Sequence, residues 1–328
     1  MKALITGGAG FAGYHLARLL VDMGYEVVLA DDLSRGKKDH DLLQLLKNPR
    51  VTLVEVDLVD RSVWRLLGEG YDHVYHLASV NGTKLFYEVP HEVLRVGILT
   101  SLHAIDWFCN DNGKRDAKIV YASSTEAYAG TLEAFGELPL PTPEDVPLVI
   151  ADPYNPRWSY AGQKLIGEQL FINFAAKKGF RMGIVRPNNI YGPRAGYEHA
   201  IPGIIQRIEM KEEPFMIYGA EETRSFCYIE DAVEGMRRVM ESAKTDNATY
   251  HVGASEETKI SDLTEMLFEL AAWRPKGIEA KSSPPGSVKR RLPDVSKIER
   301  DTGWRASTNL REGLQRTLTW YQAHPQGS

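Results

Sequence analysis

The 328-residue chain has few cysteines, no long basic run and no long apolar segment. Its two cysteines, Cys109 and Cys227, form no redox or metal-binding motif, so we expect a reducing, cytoplasmic environment. No apolar stretch reaches the roughly 18 residues that a membrane helix requires, which argues against a membrane protein. The net charge of −5, without a long basic run, argues against a nucleic-acid partner.

Metal-ligand patterns and internal repeats are also missing from the sequence. The nine histidines are scattered without the spacing of metal ligands, so we expect no metal site. Hydrophobic residues make up 43% of the chain and charged residues 25%. This composition fits one large or two medium-sized globular domains.

What the chain does contain, close to its start, is a glycine-rich segment between an apolar run and a helical pattern. In residues 6–13, Gly7 permits a tight turn, Gly10 lets the backbone approach a phosphate, and Gly13 allows close packing of helix on strand. The start of the helix offers free N–H groups to phosphates. A glycine triplet alone is also typical of a flexible turn, but this order of elements predicts a dinucleotide site. The predicted contacts are Gly7, Gly10, Phe11, Ala12 and Gly13.

An acidic residue stands where the second predicted strand ends. Asp31 follows an apolar run and lies 18 residues after Gly13. A carboxylate at this place binds the ribose hydroxyls of adenosine and repels a 2′-phosphate, so NAD is expected rather than NADP. We also assign Asp57, Leu58 and Ala78, which follow later predicted strands, to the cofactor site.

Predicted strands and helices alternate through the first 187 residues. This alternation predicts an α/β fold, a Rossmann-type doubly wound parallel sheet with helices on both faces. In such sheets ligands bind beyond the carboxyl ends of the strands, so one cleft is expected to collect the residues that follow them. Those residues are Asp31, Asp57, Ala78, Ser124 and Asn189.

From about residue 188 the alternation becomes irregular. We therefore predict an NAD-binding Rossmann domain from residues 1–187 plus about 226–254. A smaller mixed α/β substrate-binding domain is predicted from about 188–225 plus 255–328. Residues 131–156, with six prolines, are expected to form a long connection, either a surface excursion or a rim over the active site. Residues 282–286 are predicted to be a loop.

Tyr160 and Lys164 lie four residues apart in a predicted helix, so their side chains share one face. A nearby ammonium and an oxidised nicotinamide would both favour tyrosinate and lower the phenol pKa from its usual value near 10. The phenolate can then take a hydroxyl proton while hydride leaves for NAD⁺. The plainer alternative is a packed tyrosine beside a solvated lysine.

Together with Ser124, these motifs resemble the extended short-chain dehydrogenase/reductases, and within them the NAD-dependent nucleotide-sugar epimerase/dehydratase group. The likeness runs through nearly the full length of the chain. Further matching segments are residues 76–79 ("HLA"), 186–194 ("RxxNxYGP"), 223–231 ("RDFxYVxD"), 291–294 and 302–304 ("RPxD…LGW").

The resemblance implies a role for each matching residue. Ser124 would hold the sugar hydroxyl, Tyr160 would be the base, and Lys164 would orient the ribose and tune Tyr160. Asp57 would approach the adenine. Four residues would contact a nucleotide-diphosphate sugar, most often a UDP-sugar in this family: Asn189, Arg194, Arg224 and Arg291. Surface ion pairs are the alternative for the arginines, above all for Arg291, which follows two other basic residues.

Thr125 and Glu126 distinguish subclasses of the resembling family. Hexose 4,6-dehydratases carry Thr-Asp-Glu after the strand, UDP-glucuronate decarboxylases carry Thr-Ser-Glu, and simple 4-epimerases usually lack the glutamate. Here the order is Ser124, Thr125, Glu126. The aspartate that hexose 4,6-dehydratases use is therefore missing, whereas Glu126 can still act at C5 of a 4-keto sugar. Residues 155–160 also resemble the segment before the tyrosine in UDP-glucuronate decarboxylases. Glu126 can alternatively be a supporting carboxylate.

Three functional hypotheses follow. The first is an enzyme that transiently oxidises C4 of a nucleotide sugar with bound NAD⁺ and then decarboxylates or dehydrates it. The second is a 4-epimerase with the same redox cycle, and the third is a non-catalytic NAD sensor.

One departure from the family is Gly97, where an asparagine often begins the motif "NxxGT". A homodimer through the helices at residues 92–109 and 159–176 is also expected.

Overall fold

A computed structural model describes residues 1–283 and 288–324. The predicted loop at residues 282–286 lies mostly outside the described residues. The strands are β1 Lys2–Thr6, β2 Glu26–Asp31, β3 Val51–Glu55, β4 His73–His76, β5 Lys118–Ala122, β6 Arg181–Pro187, β7 Ile190–Tyr191, β8 Phe215–Tyr218, β9 Thr223–Arg224, β10 Cys227–Tyr228, β11 Ala248–Val252, β12 Thr258–Lys259, β13 Ile278–Lys281 and β14 Arg290–Arg291.

The α-helices alternate with the strands of the first half and cluster in the second. They are α1 Phe11–Asp22, α2 His40–Leu45, α3 Thr83–Glu88, α4 Pro90–Asn110, α5 Ala129–Phe135, α6 Trp158–Lys178, α7 Ala200–Glu209, α8 Ile229–Glu241, α9 Ile260–Leu270, α10 Ser296–Thr302 and α11 Leu310–Ala323. Short 3₁₀ helices span Arg61–Leu67, Thr125–Tyr128 and Ala243–Thr245. None of the helices in the described part of the chain combines the length and apolar character of a membrane span.

Seven parallel strands form the central sheet, in the order β3-β2-β1-β4-β5-β6-β11. The predicted doubly wound α/β fold is therefore confirmed. The strand order reverses between β1 and β4, which makes their carboxyl ends the crevice where ligands bind in such sheets. The division into two domains stays a prediction, although the chain does leave the sheet after β6 and returns to it with β11.

Apolar residues of the central strands alternate between two hydrophobic clusters, one on each face of the sheet. In β1, Ala3 and Ile5 belong to the cluster that includes α1 and α8, whereas Leu4 belongs to the cluster that includes α4 and α6. Burial on both faces explains why the strands read as nearly continuous apolar runs. Because both faces of the sheet are covered by apolar packing, only side chains at the strand ends are available to a ligand.

A buried lysine fixes β5, the strand that leads into Ser124. The Lys118 ammonium is 1% exposed and lies 2.8 Å from the Asp246 carboxylate. It also donates hydrogen bonds to the carbonyls of Val239 and Ser242 and to the Thr245 hydroxyl. Burial lowers the pKa of Lys118, and the hydrogen bond and charge of Asp246 oppose that change. One side chain thus joins β5 to the end of α8.

Replacing this lysine is expected to cost much more stability than replacing a surface lysine nearby. Lys118→Met leaves buried acceptors without a donor, so it should lower the free energy of unfolding by about 3 kcal/mol. Lys114→Met, which removes an exposed ion pair with Asp72, should cost less than about 1 kcal/mol. Urea denaturation of both variants measures the difference, and equal losses would contradict the role given to Lys118.

Candidate active site

Three glycines bring the backbone of residues 7–13 into a tight cradle at the end of β1. Gly7 has φ +68°, and a Cβ there would lie 3.0 Å from the Ala78 backbone. A Cβ on Gly13 would lie 2.2 Å from the Gly7 carbonyl oxygen. The N-terminus of α1, capped by Gly10 without a side-chain hydrogen bond, leaves its N–H groups open to an anion. The cradle therefore fits a dinucleotide pyrophosphate.

Asp31, the last residue of β2, lies against this cradle. Its carboxylate accepts hydrogen bonds from the backbone N–H groups of Ala9 at 3.0 Å and Leu33 at 2.8 Å. Burial raises the pKa of Asp31, and these backbone donors oppose the change. The Gly10 N–H also stabilises this carboxylate, which has about four acceptor sites, so at least one remains for a ribose hydroxyl. This geometry fits the predicted contact with NAD.

The other predicted cofactor residues lie at neighbouring strand ends. Asp57 is exposed and accepts a hydrogen bond from the Val59 N–H, whereas Leu58 is 5% exposed. The Ala78 N–H donates to the Thr6 hydroxyl at 3.2 Å, which joins the ends of β4 and β1. The three residues thus border the crevice, and their contacts with the cofactor stay predictions.

The predicted base, Tyr160, lies in the first turn of α6 and is 7% exposed. Its ring stacks on Phe86 of α3, with the ring centroids 4.8 Å apart. Burial raises the pKa of Tyr160, and a hydrogen bond with Ser124 opposes this only in part. The expected lowering of this pKa is thus not produced by the chain alone.

Lys164, one turn further along α6, does not contact the Tyr160 oxygen in the structure. Its ammonium lies 5.6 Å from the centre of the Tyr160 ring and donates to the Ala122 carbonyl at 2.7 Å. Burial lowers the pKa of Lys164 to about 7, opposed by the charge of Glu168. Lys164 therefore anchors the end of β5 in addition to its predicted role at the ribose.

Glu168, which was not predicted as a site residue, continues the same face of α6. Its carboxylate accepts hydrogen bonds from the Ser123 hydroxyl at 2.5 Å and from Arg186 at 2.7 and 2.8 Å. Both members of this ion pair are almost fully buried. The i, i+4, i+8 spacing of Tyr160, Lys164 and Glu168 is a sequence signal that could have identified it.

Glu126 is partly buried among three guanidinium groups. Arg291 forms a short ion pair with one of its oxygens, and Arg157 lies 3.6 Å from the other. Burial would raise the pKa of Glu126, but the charges of Arg291, Arg157 and Arg224 lower it overall. Glu126 is therefore held as a carboxylate. Arg157 was not predicted as a site residue, and its Nε is buried without a partner among the described residues.

Arg224 and Arg291 lie side by side because β9 and β14 pair in parallel, with these two residues in register. Arg224 also forms an ion pair with Glu222 at 2.7 Å. Burial lowers the pKa of Arg224, and the neighbouring Arg291 charge adds to that effect. The adjacent Arg290 instead pairs with Glu257 and is mostly exposed. The Arg291 side chain therefore lies in the site, whereas the side chain of its neighbour Arg290 lies outside it.

The remaining predicted residues lie in different surroundings. The Thr125 hydroxyl donates to the Asn188 side chain at 3.1 Å, within a buried network beneath the site. Asn189 has φ +39° and donates to the Ser225 carbonyl. Arg194 pairs with Asp39 at 2.8 Å and packs over Tyr14, so it lies with the glycine cradle rather than with the other arginines.

The long connection predicted at residues 131–156 is partly helical, because α5 continues to Phe135. Beyond that helix, Thr142 exchanges backbone hydrogen bonds with Leu292 and Asp294. The Glu144 carbonyl accepts a hydrogen bond from Arg186. The connection therefore packs against the segment that carries Arg291, which favours its interpretation as part of the site's border.

Two curated relatives align over almost the whole chain. The UDP-N-acetyl-alpha-D-glucosaminuronate decarboxylase of Bacillus cytotoxicus is 30% identical, with 98% of each chain covered. UDP-glucuronic acid decarboxylase 6 of Arabidopsis thaliana is also 30% identical, over 96% of this chain and 87% of that protein.

Solved structures agree with this likeness. The UDP-glucuronic acid 4-epimerase from Bacillus cereus, crystallised with UDP-glucuronic acid and NAD, is 25% identical with a TM-score of 0.86. The UDP-glucose 4-epimerase of Thermotoga maritima is 26% identical with a TM-score of 0.85. Each comparison covers 98% of this chain and 99% of the other.

The family model described as the NAD dependent epimerase/dehydratase family matches residues 3–253, which contain the glycine cradle, Ser124, Tyr160 and Lys164. The resemblance inferred from the motifs is thereby confirmed, as are NAD as the cofactor and the assignment to enzymes that modify nucleotide sugars. The chain belongs to the NAD-dependent epimerase/dehydratase family.

Proposed function

We propose that the chain decarboxylates a UDP-hexuronate by transient oxidation at C4. The observation that carries this proposal is the position of Glu126, two residues after Ser124 and among three guanidinium groups. The decarboxylases named above, which align over nearly the full chain, support the same choice of reaction.

The charge balance of the arginine cluster suits an anionic substrate. Arg157, Arg224 and Arg291 face the carboxylates of Glu126 and Glu222, which leaves an excess of one positive charge among these five groups. Guanidinium groups bind carboxylates and phosphates through paired hydrogen bonds. A UDP-hexuronate carries both kinds of anion, and we propose that Arg224 and Arg291 bind its diphosphate, together with Asn189.

The residues of the chain divide the chemistry between them. Tyr160, with Ser124 holding the C4 hydroxyl, removes the hydroxyl proton and later returns it. Bound NAD supplies the hydride acceptor and donor at C4. A ketone at C4 makes the C6 carboxylate a β-keto acid, so the C5–C6 bond breaks and its electron pair moves toward the ketone as CO₂ leaves. Glu126, held ionised, orients a water that delivers a proton to C5, and a proton from the solvent neutralises the hydroxide left behind.

A 4-epimerase is the second candidate, and the fold of the solved epimerases favours it. Ser124, Tyr160 and Lys164 serve that reaction equally well, whereas the arginine-bound Glu126 has no task in it. A non-catalytic NAD sensor is disfavoured, because such a protein needs none of these three residues and the relatives named above are enzymes.

We also propose that the chain forms a homodimer in the cytoplasm. Helices α4 and α6 pack together, and Ile166 and Ile172 of α6 are 37% and 40% exposed. Apolar residues on an outer helix face suit contact with a second copy. Cys109 and Cys227 are both free, as is usual in a reducing compartment.

The reaction itself is tested with UDP-glucuronate, its N-acetylated analogue, UDP-glucose and UDP-galactose. We expect loss of CO₂ from an acidic substrate by mass spectrometry. Tyr160→Phe should lower kcat about 10²- to 10⁴-fold, because it removes the base that accepts the proton of the C4 hydroxyl. Tyr154→Phe, at a 94% exposed tyrosine, is the control. Turnover of any of these sugars at unchanged mass would instead support the epimerase.

Neighbouring arginines test the proposed diphosphate contact. Arg291→Gln removes a charged hydrogen-bond donor from the site and should raise the KM of the UDP-sugar about 10- to 100-fold. Arg290→Gln removes the same charge from the exposed side of β14 and should leave the KM near that of the wild type. Steady-state kinetics of the two variants decide the matter, since equal effects would indicate only a general loss of positive charge.

The buried ammonium of Lys164 predicts a pH dependence of stability. Its pKa is about 7 in the folded chain, whereas the ordinary value for lysine is 10.5, so the unfolded chain binds more protons between these pH values. The free energy of unfolding without NAD should therefore rise with pH over this window, relative to Lys164→Met. Urea denaturation at pH 7, 8 and 9 measures it, with Lys114→Met expected to follow the wild type. Parallel curves for wild type and Lys164→Met would refute the shift.

A further inference from the structure

Gln163 of α6 lies next to Lys164 and is completely buried. Its side-chain N–H donates a hydrogen bond to the Ser79 hydroxyl at 2.7 Å. Its Oε1 is buried and finds no hydrogen-bond partner among the described residues. A buried amide is costly unless its polar atoms are paired, so a side chain placed there needs an explanation.

Gly97 of α4 provides the space that the Gln163 amide occupies. A Cβ on Gly97 would lie 1.5 Å from the Gln163 Oε1 and 2.4 Å from its Cδ. No residue with a side chain can therefore stand at position 97 while Gln163 keeps this conformation. Gly97, which departs from the family pattern, and the buried Gln163 therefore depend on each other: the missing side chain at position 97 leaves the space that the Gln163 amide fills.

The hydrogen bond of Gln163 leads to the cofactor side of the crevice. Ser79 directly follows Ala78, whose backbone packs against Gly7 of the glycine cradle. The same strand end is held by His76, which contacts the Thr6 hydroxyl at 2.8 Å and the Ser101 hydroxyl at 3.3 Å. Gln163 thus connects the helix that carries Tyr160 and Lys164 to the backbone that forms the cradle.

We infer that Gln163 is a positioning residue, which fixes the distance between the catalytic helix and the cofactor cradle from the space left by Gly97. The inference rests on the proposed roles of Tyr160 and Lys164. Misplacing reacting groups by about 1 Å can cost about 10²-fold in rate. The amide acts through Ser79 and touches none of the reacting atoms.

Two neighbouring glycines provide the first test. Gly97→Ala displaces the buried Gln163 amide and should lower kcat about 10- to 100-fold, measured well below the unfolding temperature of the variant. Gly162→Ala is the matched control, because its Cβ would meet only Ile150 and Leu94 at 3.8 Å. Equal kinetics for the two variants, or a loss of activity that only accompanies unfolding, would overturn the inference.

A double-mutant cycle isolates the hydrogen bond itself. Gln163→Ala and Ser79→Ala should each weaken NAD binding, measured by calorimetry, and the double variant should be no worse than either single variant. Additive losses would overturn the inference. Because the readout is the Kd of NAD, the cycle remains informative even if no UDP-hexuronate is decarboxylated. That result would refute the proposed function alone.

Discussion

The buried ion pair of Glu168 and Arg186 is the interaction on which the active-site geometry depends. It joins α6 to the end of β6, and through the Ser123 hydroxyl it also holds the end of β5. A buried pair of this kind adds little net stability compared with apolar packing, because both charges lose their hydration. Its hydrogen bonds are directional, however, so the three elements have one favourable arrangement. Ser124 is the next residue in the chain after Ser123, whose hydroxyl this pair holds.

The catalytic face of α6 follows from that constraint. Tyr160, Lys164 and Glu168 recur every four residues, so a helix held at Glu168 presents the other two toward the strand ends. Lys164 contributes a second hydrogen bond, to the Ala122 carbonyl, and thereby stabilises the strand from which Ser124 emerges. This contact requires burial of its ammonium, whose pKa falls to about 7. Position and ionisation of the lysine are therefore consequences of the same packing.

Sequence patterns were sufficient for the sheet, the glycine cradle and the residues at strand ends, because these depend on local periodicity and on the rule that parallel strands end together. The motifs identified Arg224 and Arg291, but neither Arg157 nor the clustering of these guanidinium groups around Glu126 could be inferred from them. Arg291 stands 165 residues after Glu126, and only the pairing of β14 with β9 brings it to the site. Arg194, which the motif suggested as a substrate contact, pairs with Asp39 beside the glycine cradle, and its contact with the substrate stays a prediction. The Tyr160 pKa also depends on burial, which no motif reports.

The electrostatics of Glu126 connect the arrangement to the proposed reaction. Arg291 and Arg157 keep this side chain ionised, so a hexuronate carboxylate bound nearby would compete with it for the same guanidinium groups. Loss of CO₂ converts that carboxylate into a neutral molecule and removes the competition, whereas epimerisation leaves the charge in place. A competition that weakens as the C5–C6 bond breaks lowers the barrier, because it destabilises the bound substrate more than the transition state. In the proposed mechanism the arginine cluster therefore binds the anionic substrate, while the ionised Glu126 competes with the hexuronate carboxylate until CO₂ leaves.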